Sequence, residues 1–254
     1  MGIGKIFTKA APIMALAAAG LAGCNNADIE FDSDGVPLAE LDYSGAAPTG
    51  VVLAGPDTVL ISNGDEFIIE VEGSNEARDR MRFAMEDGAL VIHRENGDWN
   101  GGDGEATVNI TMPAPETLVM AGSGSITTDA VATRSDIVIA GSGTLRADGV
   151  DAESLEVTIA GSGSLRASGV TERLELTVAG SGNAEMAALR VDEAEVNIAG
   201  SGDARFASDG RVEANIVGSG TVRVSGSASC EVETVGSGRL ICEAAATTRD
   251  PEEA

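Results

Sequence analysis

Apolar and polar residues alternate through the second half of this chain. Leu155, Val157 and Ile159 are separated by Glu156 and Thr158, and the pattern returns at Leu174, Leu176 and Val178 and again at Ala194, Val196 and Ile198. A period of two places successive side chains on opposite faces of an extended backbone, so these segments are predicted strands with one buried face. Each strand runs into a Gly-Ser-Gly triplet. Seven triplets begin at Gly122, Gly141, Gly161, Gly180, Gly200, Gly218 and Gly236, at intervals of 19, 20, 19, 20, 18 and 18 residues. After each triplet a second short alternation follows, with inward positions at Ile126, Leu145, Leu165, Ala184, Ala204, Val222 and Leu240.

A strand, a glycine corner, a second strand and a return within 18–20 residues make one coil of a repeat stack. The predicted fold is all-β: a single-stranded parallel β-helix, or a flattened solenoid close to it, with about seven regular rungs spaced by roughly one strand width, ~4.8 Å. Helix is disfavoured because glycine and β-branched residues crowd every unit and no i, i+3, i+4 apolar pattern appears. The low aromatic content, 3%, suits a thin core of Val, Ile, Leu and Ala.

Upstream, residues 1–23 read as a secretory leader. Lys5 and Lys9 precede a short apolar stretch, and Leu21-Ala22-Gly23-Cys24 follows it. The tetrad resembles a bacterial lipobox, which implies cleavage before Cys24 and lipidation of its thiol; an ordinary leader with an incidental cysteine is the alternative. Acyl chains would hold the domain at a membrane without spanning it. The expected order is a leader at 1–23, a flexible tether at 24–48, irregular first coils at 49–115 that cap the stack, regular repeats at 116–243 and a polar tail at 244–254. Short strands are expected at 51–54, 58–62, 66–72, 89–94 and 106–112, with a Gly-, Asn- and Asp-rich loop at 96–104.

The segments Val51-Val52-Leu53-Ala54-Gly55-Pro56, Asn63-Gly64-Asp65-Glu66 and Asp87-Gly88-Ala89-Leu90-Val91-Ile92, followed by repeated Ala-Gly-Ser-Gly blocks, resemble the head GIN domain family, described as putative autotransporter adhesins of bacterial envelopes. The resemblance covers roughly residues 49–243. It implies a β-helical fold and a role in adhesion, and it carries over no catalytic residue.

Charge narrows the partners. The net charge is −25, and removal of the leader takes away both lysines, leaving 14 Arg against 41 acidic residues. Such a surface disfavours nucleic acid and anionic lipid as direct ligands. The acids are also ordered: Asp136, Glu156, Glu175, Glu195, Glu213 and Glu231 stand five residues before successive triplets, on the outward side. Two readings of this ladder stand open, a solvated outer face and a site for Ca²⁺ or another ligand; no other cofactor is expected. Arg146, Arg166, Arg205 and Arg223 form a basic column five residues after the triplets, interrupted by Glu185, and are expected to balance the acids locally. Thr158, Thr177, Asn197 and Asn215 form a polar column suited to touching a glycan or another surface.

Cys230 and Cys242 flank the last triplet at inward positions, where either a disulfide or two buried thiols would fit. His93, the only histidine, has no recognisable nucleophile partner, and the triplet serines recur without a base. Trp99 either caps the stack or stacks on a sugar. The expected function is a non-enzymatic, lipid-anchored envelope protein, at the outer rather than the inner membrane. Its β-helical head would bind a glycan, a protein surface or another copy of itself. A polysaccharide-active enzyme of the pectin lyase-like type and a periplasmic structural or envelope-stress component are the alternatives.

Overall fold

The computed structural model describes residues 35–95 and 104–243. The leader, Cys24, Trp99 with most of its loop, and the tail 244–254 lie outside them. The chain order is β1 (Gly50–Gly55), β2 (Thr58–Asn63), β3 (Ile68–Glu72), α1 (Asn75–Asp79), β4 (Met81–Glu86), β5 (Ala89–Arg94), β6 (Thr107–Met112), β7 (Thr117–Gly122), β8 (Ser125–Thr128) and β9 (Arg134–Gly141). Four long strands follow, β10 (Thr144–Gly161), β11 (Ser164–Gly180), β12 (Asn183–Gly200) and β13 (Asp203–Gly218), and then β14 (Thr221–Ser225), β15 (Ser229–Gly236) and β16 (Arg239–Glu243). Together they form a parallel β-solenoid of about seven turns.

Each coil has a first face before its glycine corner and a second face after it. The first faces stack in the order β1, β7, β9, then the C-terminal halves of β10 to β13, then β15. The second faces stack as β2, β8, the N-terminal halves of β10 to β13, then β14 and β16. The 16–18-residue strands turn from the second face of one coil to the first face of the next through register shifts, such as that between Ala147 and Val150.

The corner glycines hold this register. Gly180 has φ +120°, and a Cβ placed on it would lie 2.5 Å from the Gly161 carbonyl oxygen, to which the Ser181 amide donates a 2.8 Å hydrogen bond. At the third triplet position the obstacle is the core itself: a Cβ on Gly182 would meet Ile159 Cγ2 at 2.4 Å. The first glycine is required by backbone conformation and the third by packing.

The interior is a set of apolar columns. Leu53, Met120, Ile139, Ile159, Val178, Ile198 and Ile216 follow one another on the first face, all essentially inaccessible. On the second face Leu145 and Ala147 give way two coils later to Ala184 and Met186, and then to Ala204 and Phe206. A small residue in one column is matched by a larger one in its neighbour, which keeps the core volume of each coil nearly constant.

The N-terminal end differs from the expectation in two ways. The coil made of β5 and β6 lies outside the coil made of β1 and β2, although it follows it in sequence, and β4 and β3 close the edge by pairing antiparallel to β5 and β6. Segment 24–48 is also not tether throughout. Val36 bridges Phe83, Leu38 and Leu41 pack against the core, and Tyr43 meets Phe67 edge-on at 5.7 Å. Apolar residues at 36, 38 and 41 cover the antiparallel edge, so they gain more by burial than a free linker would.

Candidate functional site

The first face presents three outward columns in register. Asp136, Glu156, Glu175, Glu195, Glu213 and Glu231 stack directly on one another through β9, β10, β11, β12, β13 and β15. Beside them run Thr158, Thr177, Asn197 and Asn215, where the Asn215 side-chain amide donates to Asn197 Oδ1 at 3.1 Å. Ala140, Ala160, Ala179, Ala199 and Val217 form the third column, whose short side chains keep the face flat. Val217 is 57% exposed and Val235, beyond it, 70%.

Like charges one strand apart raise the cost of ionising each other. Asp136 stands beside Glu156 in the ladder. Partial burial, followed by the neighbouring Glu156 carboxylate, pushes its carboxyl up to about 6. Glu156 is half-buried and Glu175, Glu195, Glu213 and Glu231 are exposed, and among the described residues only Glu213 of the ladder has an ion-pair partner, Arg211 at 3.5 Å. No three acidic, His or Cys side chains among the described residues gather as a metal site.

The arginine column does not balance these acids locally. Arg146, Arg166, Arg205 and Arg223 project from the second face, on the other side of the corner, where Glu185 interrupts them in register. Sequence spacing placed both columns correctly, but a five-residue offset on either side of a corner separates them onto different faces. Other arginines pair with carboxylates along the return bend, including Arg134 with Glu153 and Arg173 with Glu193, both at 2.8 Å. A cleft of about 400 Å³ there is lined by Glu172, Arg173, Asp192, Glu193 and Arg211, all exposed to solvent.

One buried ion pair escaped the sequence reading. Asp57, 1% exposed, accepts from Arg94 Nε at 2.8 Å, Arg94 Nη2 at 2.5 Å and the Ala106 amide at 2.8 Å. Arg94 Nη2 also donates to the Gly104 carbonyl at 2.8 Å, so the pair fastens the two ends of the Trp99 loop to the first coil. The available signal was alignment of Ala54-Gly55-Pro56-Asp57 with the Ala-Gly-Ser-Gly blocks. Gly55 stands in register with Gly122, and Asp57 takes the place of the third corner residue.

Cys230, half-buried, and Cys242, exposed, are joined by a disulfide in the last coil, with Cα atoms 6.8 Å apart, linking β15 to β16. His93 lies half-buried on β5, its Nδ1 3.1 Å from the Arg94 carbonyl oxygen. Ser123, Ser142, Ser162, Ser181, Ser201, Ser219 and Ser237 are exposed corner residues. No helix among the described residues is long and apolar enough to cross a membrane.

A family model described as putative auto-transporter adhesin, head GIN domain, matches residues 47–228, which run from the first coil to the threshold of the last. The chain belongs to this family. No curated protein matches it. Solved structures share this fold at low identity. A putative adhesin from Bacteroides fragilis NCTC 9343 is 17% identical with a TM-score of 0.70, covering 80% of this chain and 94% of that one. A putative lipid binding protein from Parabacteroides distasonis ATCC 8503 is 21% identical, TM-score 0.61, covering 78% and 93%. A putative adhesin from Parabacteroides merdae ATCC 43184 is 15% identical, TM-score 0.61, covering 78% and 92%.

Proposed function

We propose that this head GIN domain is a non-enzymatic binding module of the bacterial cell envelope, anchored to the outer membrane by lipid on Cys24 and engaging its partner through the first face. The observation that carries this is the flat stack of Ala, Thr/Asn and acidic columns running through the regular coils. Identical groups repeated every ~4.8 Å can make many weak contacts that sum, which suits adhesion better than turnover. Family membership supports the same reading. The acid–arginine cleft at the return bend is open, and its side chains are exposed, which is a poor setting for acid–base chemistry on a glycan.

Protease shaving of intact cells tests the placement. The domain is expected to be lost while a periplasmic control is spared, and a strain lacking the protein should adhere less to its surface. Protection until the outer membrane is broken would refute adhesion and leave a periplasmic structural role.

A further inference from the structure

The described arginines divide into two sets. Most spend their charge on carboxylates of their own chain, as Arg134, Arg173, Arg190 and Arg211 do along the bends. Arg166, Arg205 and Arg223 make no ion pair with any described residue, although the chain carries 41 acidic residues. All three are exposed on the second face in the same column as Arg146. The first face carries the complementary row of acids, also largely unpaired. In each row most members are left without an ion pair: of the arginines only Arg146 has one, with Asp148 at 2.6 Å, and of the acids only Glu213, with Arg211 at 3.5 Å.

We infer that the two faces are complementary surfaces for a second copy of this chain, the second face of one molecule lying on the first face of the next. The argument rests on pitch as well as sign. Both rows take their spacing from the same backbone ladder, so two copies laid side by side stay in step along their whole length. With the molecules parallel, Asp136, Glu156, Glu195 and Glu213 face Arg146, Arg166, Arg205 and Arg223 of the next copy. One coil mismatches, because Glu175 meets Glu185. The alanine column of the first face lets the backbones approach.

Because the two faces differ, the contact is heterologous and extends into open rows rather than closing as a dimer. Anchoring at one membrane would align the molecules in parallel and raise their effective concentration. A soluble polyanion would satisfy the arginines but leave the acidic row stacked, whereas a second copy satisfies both rows. This partner rests on the reading of the head as a binding module.

The test is sedimentation of the purified full chain over a concentration series, with charge-reversed variants. Wild type is expected to self-associate. The second-face variant R166E/R205E/R223E and the first-face variant E156R/E195R/E213R, each folded by circular dichroism, should each be monomeric alone and should associate when mixed, since every face of one variant is then opposite in charge to the face of the other that it meets. E185R should tighten wild-type association roughly tenfold by removing the like-charge coil. A wild type that stays monomeric to its solubility limit overturns the proposal, as does association that survives both reversals. Arginine-dependent retention of a monomeric wild type on polygalacturonate beads also overturns it, by assigning the second face to an acidic glycan. Failure here leaves surface exposure and adhesion to other partners intact, whereas failure of the shaving experiment does not alter sedimentation.

Discussion

Gly180→Ala tests the corner directly. If the glycine were there only for flexibility, alanine would stiffen the unfolded chain and stabilise the protein by about 0.4–1 kcal/mol. The structure gives the opposite sign. Gly180 sits at φ +120°, a region that costs a residue with a Cβ about 1–3 kcal/mol. The new methyl would also lie 2.5 Å from the Gly161 carbonyl oxygen, far inside contact distance, and must push apart the coils that the 2.8 Å bond from the Ser181 amide joins. Weakening that bond adds about 1 kcal/mol, for an expected loss of roughly 2–4 kcal/mol. Ser181→Ala is the internal control. Its side chain is exposed, so the change should stay within about 0.5 kcal/mol. Equilibrium urea unfolding followed by far-UV circular dichroism measures both, with constant m-values showing that stability alone has changed. A Gly180→Ala protein as stable as wild type, or a Ser181→Ala loss of similar size, would refute the account of the corner.

Three further outcomes are expected. Asp57→Ala removes the carboxylate that pairs with the Arg94 guanidinium, 12% exposed, and with the Ala106 amide; a loss of about 3–5 kcal/mol in the same unfolding assay is predicted, and a change under 1 kcal/mol would contradict it. Asp136 titrates near 6 in the folded chain against an ordinary 3.8, so the stability its neutral form confers is complete below about pH 4 and is lost as pH rises through 6. Asp136→Asn should therefore gain on wild type by about 1–2 kcal/mol at pH 7.5, after allowance for partial exposure, and by little at pH 4; equal differences at both pH values would show that burial does not act through ionisation. Cys230→Ser opens the link between β15 and β16, and hydrogen exchange should quicken in those strands by an amount equivalent to about 2–3 kcal/mol while β11 stays protected; uniform protection would argue against the cross-link as the clamp of the last coil.

The regular coils were legible in the sequence because every instruction for them is local and repeated. Alternation at Leu155, Val157 and Ile159 sets a buried face, the triplet at Gly161 sets the corner, and the next coil repeats both, so spacing alone stacks Glu156 on Glu175 and Arg146 on Arg166. What required the tertiary structure is non-local and unrepeated. The β5–β6 coil slips outside the β1–β2 coil because antiparallel β4 and β3 terminate that edge, and no local pattern specifies which strand becomes the neighbour of β1. Asp57 finds Arg94 across 37 residues, through a corner in which an acid has replaced glycine. The separation of the acidic and arginine rows belongs here too. Periodicity shows that each row points outward, but only the closing of the coil around its core puts them on different faces, where no ion pair among the described residues joins one row to the other.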